Sequence, residues 1–263
     1  MKLEVKNLTK AFNRGDDLLP VLEGISLVAA PHEFVAVLGP SGCGKSTLFN
    51  LISGLLKPDT GEICFDGKPV ADCTGLSAYM QQKDLLLPWR TVLGNVLLGC
   101  EIARQQMTAS RAEATALIAQ LGLNGFEDSY PSQLSGGMRQ RVALARTLML
   151  KKRVLLLDEP FGALDAMTRF SLQSLMLEIW QQWQQTVLLI THDIEEALLL
   201  SDRIYVLTAR PATVKTEFDV PLKRPRPVTD RAFVELKREL LQTLHEEMLT
   251  PPPISDFGFR ISE

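Results

Sequence analysis

One stretch constrains this chain more than any other. Gly39-Pro40-Ser41-Gly42-Cys43-Gly44-Lys45-Ser46-Thr47 fits the phosphate-loop pattern G-x-x-x-x-G-K-[ST]. The pattern needs a strand before it and a helix after it. Phe34-Val35-Ala36-Val37-Leu38 is a short apolar run rich in β-formers, and Ser46–Ile52 can continue as a helix. Gly39, Gly42 and Gly44 let the backbone take positive φ and approach a ligand closely. Backbone N–H groups and the positive end of the following helix then face an anion. Lys45 adds a point charge for the β- and γ-phosphates, and the Ser46 hydroxyl can ligate Mg²⁺. Gly39 through Thr47 are therefore expected to bind a nucleotide. A chance glycine-rich turn would not come with this flanking strand and helix.

The rest of the composition narrows the class. With 263 residues the chain can hold one large domain, or a core with a subdomain, and 46% hydrophobic residues support a buried interior. A net charge of −3 supplies no bulk basic field, so no nucleic-acid partner is expected. Cys43, Cys64, Cys73 and Cys100 lack metal-site spacing and read as reduced thiols. Cys43 reads as a filler of the loop rather than a reactive group. The start Met1-Lys2-Leu3-Glu4-Val5 has no apolar stretch like that of a signal peptide. No apolar run approaches the length of a membrane span, so membrane association is expected to come through a partner.

Taken in order, Leu3–Leu8 alternates as an edge strand would, with a polar turn at Asn13–Asp17 and a second strand over Val21–Val28. Gly61–Phe65 reads as a strand ending in the tight turn Asp66-Gly67, and Ser77–Met80 as another. From about Leu85 to Leu150 strand signals vanish and helical spacing takes over, as at Ala114, Leu117, Ile118 and Leu121. Strands return at Val154–Leu157, Thr186–Ile190 and Asp202–Thr208. Between the first two, Phe170, Leu172, Leu175, Met176, Ile179 and Trp183 form a helical stripe. This alternation predicts a parallel sheet covered by helices, with the ligand at the carboxyl ends of its strands. Leu222-Lys223-Arg224-Pro225-Arg226-Pro227 reads as a solvated linker. A last helix spans about Asp230–Met248, with Phe233, Leu236, Leu240 and Leu244 on one face, and Thr250–Glu263 reads as a disordered tail.

A phosphate loop needs a carboxylate for its metal. Leu155-Leu156-Leu157 delivers Asp158 to the sheet edge, where it can hold Mg²⁺ through water, and Glu159 can serve as general base. Leu134-Ser135-Gly136-Gly137-Met138-Arg139-Gln140 is a second glycine-containing entry into a helix, suited both to anion binding and to helix capping by Ser135.

These residues carry a resemblance. Leu134–Gln140 resembles the signature sequence of ATP-binding-cassette (ABC) ATPases. The order is also that family's: phosphate loop, glutamine loop, signature, acidic strand, Gly162-Ala163-Leu164-Asp165, then Thr191-His192-Asp193. The resemblance covers about Met1–Arg210. It implies an α/β fold: a P-loop NTPase (RecA-like) core with an N-terminal antiparallel β subdomain and an inserted α-helical subdomain at about 85–150. Residues 1–210 would form the ATPase domain and 211–249 a C-terminal extension with linker and helix. The resemblance further implies a head-to-tail homodimer in which Ser135, Gly136 and Gly137 serve the partner's ATP in trans. His192 would hold the γ-phosphate and attacking water, and Asp165 would link the two sites. Gln82, placed by register six positions before Pro88, would sense Mg²⁺ and γ-phosphate. Gln81 departs from the phenylalanine or proline usual there. Phe12 matches the aromatic that stacks on adenine, although a core aromatic reading stays open. The implied cofactors are ATP and Mg²⁺, with Ser46, Gln82 and Asp158 at the metal and Glu159, His192, Gln82 and Lys45 in catalysis.

Leu85-Leu86-Leu87-Pro88-Trp89-Arg90-Thr91-Val92 resembles a narrower group, the importers of nitrate, sulfonate, taurine and thiamine-precursor pyrimidines. That likeness implies a subunit at the cytoplasmic face of the cell (inner) membrane, docked on a permease dimer that an extracytoplasmic solute-binding protein supplies. Leu85, Leu86, Leu87 and Trp89 would receive the permease, unless the leucine run is core. The alternative is a soluble, non-transport ABC ATPase. Such proteins usually carry two cassettes or a long coiled-coil insertion, and neither is visible here.

Overall fold

The computed structural model describes residues 1–15 and 17–249. Strands β1 (Leu3–Arg14) and β2 (Asp17–Ala29) form an antiparallel pair. Next come β3 (Phe34–Leu38) and α1 (Lys45–Ile52), then β4 (Thr60–Phe65), β5 (Lys68–Pro69) and β6 (Ser77–Met80). A helical segment follows: α2 (Val92–Val96), α3 (Leu98–Ile102), α4 (Met107–Gln120) and α5 (Gly136–Leu148). The chain then alternates through β7 (Val154–Asp158), α6 (Ala166–Trp183), β8 (Thr186–Ile190), α7 (Ile194–Leu200), β9 (Arg203–Leu207) and β10 (Val214–Asp219), and ends on α8 (Arg231–Leu249).

These strands build two sheets. The smaller is antiparallel, in the order β2-β1-β4-β5; the larger runs β10-β9-β3-β8-β7-β6, with all neighbours parallel except β10. Every residue of β3, β7 and β8 is buried, as strands covered on both faces must be. Their alternate side chains feed different cores. Val154 and Leu156 of β7 join Val35, Val37, Leu188 and Phe49 between the two sheets, whereas Leu155 and Leu157 join the helical segment through Leu144 and Leu148, and α6 through Met176. A third cluster packs Ala36, Leu38, Ile204 and Val206 under α7 and α8 through Leu198, Phe233 and Leu240. This three-part burial fixes the carboxyl ends of β3, β7 and β8 side by side, which is where the chemistry sits.

Several expectations need correcting. Leu3–Leu8 is no edge strand: β1 is paired on both sides, by β2 and β4. The turn after it is shorter than Asn13–Asp17, because β1 runs to Arg14 and β2 starts at Asp17. Phe170 leaves the α6 stripe, being 64% exposed, while Leu172, Met176 and Ile179 are buried. Leu86 is core, so the leucine run is split: Leu85 and Trp89 are exposed. Thr250–Glu263 lies outside the described residues. The Asp66-Gly67 turn does close β4 onto β5, with φ of 51° and 77° at its two residues, as a two-residue hairpin of this hand requires.

The largest departure is the Arg-Pro-Arg-Pro stretch. It is not a solvated linker, and β10 precedes it. The Arg226 side chain is 1% exposed. Its guanidinium donates to the carbonyls of Leu198 (2.6 Å), Ser201 (2.6 Å), Leu222 (2.8 Å) and Val220 (3.3 Å). It thereby satisfies carbonyls at the α7 terminus that the helix leaves without partners. Burial and the neighbouring Arg224 push its pKa down to about 10, so it is still charged at neutral pH. Arg224 stacks its guanidinium over Trp180, 4.6 Å from the ring centre, and pairs with Asp202. Arg226→Ala orphans several buried acceptors at once. It is expected to destabilise the fold by about 2–4 kcal/mol, read as a lower urea midpoint with an unchanged slope.

Candidate functional site

The phosphate loop joins β3 to α1. Gly44 stands at the N-cap of α1 with φ 126°, and a Cβ there would lie 2.8 Å from Leu22 Cδ2 and 2.9 Å from Val21 Cγ1. Only glycine fits. Gly42 also has positive φ, 76°. Gly39 does not; its lack of a side chain serves close approach instead, because a Cβ would meet Leu207 at 3.1 Å. Among the described residues no side chain caps α1, whereas Thr91, Ser135, Asp165 and Asp193 cap α2, α5, α6 and α7. The first amides of α1 are thus left for an anion. Lys45 is buried beneath the loop, and its Nζ donates to the carbonyls of Gly39 (2.8 Å) and Pro40 (2.9 Å). Cys43 is buried, and burial pushes its thiol up, which fits the filler reading.

A cavity of about 250 Å³ opens over the loop. Ser41, Lys45, Ser46, Thr47, Gln82, Asp158, Glu159 and Arg210 line it. Three parallel strands deliver the polar groups: β6 ends before Gln82, β7 ends in Asp158, and β8 ends beside Glu159, whose N–H donates to Ile190 O at 2.9 Å. Burial pushes the Asp158 carboxyl above its usual range. Hydrogen bonds from Ser46 and Tyr79 (3.4 Å) and the charge of Lys45 oppose that rise, and the neighbouring Glu159 charge adds to it. A buried carboxylate beside a hydroxyl is a donor set suited to a hard divalent cation. Glu159 has φ 49°, an uncommon value that turns its carboxylate into the cavity mouth. There its Oε2 accepts from Gln82 Nε2 (3.3 Å) and lies 3.4 Å from His192 Nδ1.

The expected residues do not all converge. Lys45, Ser46, Gln82, Asp158 and Glu159 share the cavity, and His192 joins through Glu159. Phe12 is not among the cavity-lining residues. It is half-buried, with Lys10 Nζ 5.6 Å from its ring centre. Ser135, Gly136 and Gly137 are likewise not among them. Ser135 Oγ accepts from Met138 N–H (3.2 Å) as the α5 cap, and Ser135 and Gly136 face outward. Asp165 caps α6 through Thr168 N–H.

Sequence reasoning missed three residues. Tyr79 bonds Asp158 and packs edge-on to Phe49. Its register against Leu156, two residues before Asp158, puts it on the same sheet face, a signal that needs the strand pairing first. Gln140 is buried and bridges α5 to the acidic strand end, donating to Glu159 O (2.8 Å) and accepting from Ala163 N–H (3.1 Å). Arg210 reaches the loop from the far side of the sheet.

A phosphate loop on a parallel sheet, facing an acid pair at the end of the next strand but one, defines a P-loop nucleoside triphosphatase. A family model described as ABC transporter matches residues 22–162, more than half of the chain. The chain belongs to that family, as an ATP-binding cassette with ATPase activity. An ABC transporter ATP-binding protein of Methanocaldococcus jannaschii is 45% identical over 249 residues, covering 95% of this chain and 93% of its own. The taurine import ATP-binding protein TauB of Yersinia pestis is 47% identical over 195 residues, covering 74% and 76%. The aliphatic sulfonates import ATP-binding protein SsuB of Bacillus cereus is 39% identical over 242 residues, covering 92% and 95%. Among solved structures, a dimeric bacterial ABC transporter cassette superposes with a TM-score of 0.77 at 31% identity, covering 84% of this chain and all of that one.

Proposed function

We propose that this chain is the ATP-binding and ATP-hydrolysing subunit of an importer for a small polar solute of the sulfonate, taurine, nitrate or thiamine-precursor type. One observation carries the reading: Lys45, Ser46, Gln82, Asp158 and Glu159 share one cavity, in a chain whose relatives are import subunits. No helix among the described residues is long and apolar enough to cross a membrane, so a separate permease dimer supplies the pathway. The chain sits against that permease at the cytoplasmic face of the membrane, and an extracytoplasmic solute-binding protein delivers the cargo. Exposed Leu85 and Trp89 face the permease. Residues 1–210 form the ATPase domain, with the helical subdomain at about 85–150, and 211–249 form the extension.

The shared cavity supports the roles of the residues that line it, and the family resemblance alone supports that of Phe12. Loop amides and Lys45 bind the phosphates; Phe12 takes the base. Ser46, Gln82 and Asp158 would hold Mg²⁺, which when bound would supply charge stabilisation at the phosphates. Glu159 accepts the proton of the attacking water, with Gln82 and His192 fixing its carboxylate. Ser135, Gly136 and Gly137 lie off this cavity and serve the ATP of a second copy, head to tail. Closure of two cassettes around two ATP turns the permease outward, and hydrolysis resets it.

Deletion of this chain should abolish uptake of one solute in a panel of taurine, an alkanesulfonate, nitrate and a pyrimidine precursor, and the tagged chain should co-purify from membranes with a permease. Unchanged uptake of all four would sink the import reading. Recovery only with ribosomes or DNA would favour the soluble alternative.

A further inference from the structure

Arg210 lines the same cavity as Lys45 and donates from Nη2 to the Gly42 carbonyl at the tip of the phosphate loop. It arrives from an unexpected side. β9 flanks β3 on the edge opposite β8, β7 and β6, so Arg210 faces the loop across from Gln82, Asp158 and Glu159. The segment that carries it is held firmly. Three hydrogen bonds between Thr208 and Thr213, of 2.9, 3.0 and 3.2 Å, close the turn. Ala212 N–H donates to Val21 O, and Glu23 N–H donates to Ala212 O, both at 2.9 Å. The turn is therefore fastened to β2 of the antiparallel sheet while it extends β9 of the parallel one. Leu207, one residue before it, lies so near the start of the loop that a Cβ on Gly39 would meet it at 3.1 Å.

We propose that Arg210 is a nucleotide-contacting residue: its guanidinium supplies the second side-chain cation of the phosphate cradle. This rests on the phosphate-loop reading above. Lys45 and Arg210 are the two cations lining the cavity, against the two carboxylates of Asp158 and Glu159. Both cations rest on loop carbonyls, Lys45 on Gly39 and Pro40 and Arg210 on Gly42. A phosphate oxygen is a stronger acceptor for either than a neutral carbonyl. Arg210 need not leave Gly42 to reach one. A guanidinium has five N–H donors in a planar fork, so one can stay on the carbonyl while others take phosphate oxygens. The anchored turn limits the ordering cost of doing so.

Equilibrium binding of ADP and of a non-hydrolysable ATP analogue to the full chain tests this, with Arg210→Gln, Arg210→Lys and Lys45→Ala. Gln keeps an N–H donor for the Gly42 carbonyl and removes the charge. R210Q is expected to weaken binding of both nucleotides about 10-fold or more, with a shallower salt dependence than the unsubstituted chain, and R210K to fall between. Arg210 is exposed, so both variants should melt as the parent does. R210Q binding as tightly as the parent at every salt concentration would overturn the proposal and leave Arg210 a brace for the loop. A parent chain that binds no nucleotide would instead sink the phosphate-loop reading, and this proposal with it.

Discussion

Replacing Glu159 with Gln is expected to cut ATP turnover by about 10²–10³-fold while leaving the affinity for ATP within about twofold. The substitution is nearly isosteric and removes only the basic oxygen. The groups proposed to hold phosphate, Lys45 and the free amides of α1, lie on a different element and keep their geometry. The backbone at 159 also keeps its ties, because Ile190 O, Gln140 Nε2 and Gly162 N–H bond its main chain and not its carboxylate. The amide can still accept from Gln82 at the position now 3.3 Å away. Binding without turnover should make the ATP-bound dimer accumulate on size-exclusion chromatography with light scattering. Steady-state kinetics beside equilibrium binding decides the matter: undiminished hydrolysis would remove Glu159 from the role of base, and loss of binding in parallel would make it a structural residue.

Much of this site could be read before any coordinates because its parts are local. Phe34–Leu38 and Val154–Leu157 are continuous apolar runs, the mark of strands buried on both faces, and the loop and acid stand directly at their ends. What stayed hidden depends on pairings distant in sequence. β10, with Lys, Thr, Glu and Asp among its six residues, lies at a sheet edge and gives little apolar signal. Arg224 and Arg226 carry charge and sit beside prolines, which locally favours a solvated segment. The unpaired carbonyls around the α7 terminus outweigh that preference, and no local pattern announces them. Phe170 errs the other way: its spacing suits the stripe, but it lies near the start of α6, where no layer covers it. Tyr79, Gln140 and Arg210 share one cause. Each acts through a residue at least 19 positions away, on another element or loop.

Gly137→Asp should abolish ATP-dependent dimerisation and lower hydrolysis by at least about 100-fold, without weakening nucleotide binding to the single chain. Gly137 sits in the first turn of α5, off the cavity that holds Lys45. A Cβ there would touch Leu164 Cδ2 at 3.0 Å, the far end of a flexible side chain that can turn aside. A carboxylate in a first helical turn is itself favourable by about 0.3–1 kcal/mol, so the fold should be unharmed. In the proposed head-to-tail dimer the cost arises only when that carboxylate meets the triphosphate of a partner chain, where like charges brought together cost several kcal/mol. Stability and activity are thereby separated: the melting temperature should hold or rise slightly as the dimer disappears. The measurement is best made in the Glu159→Gln background, where the parent dimer is stable enough to count. If Gly137→Asp instead weakened ATP binding by the monomer, the signature turn would serve its own phosphate loop, and the site would be complete within one chain.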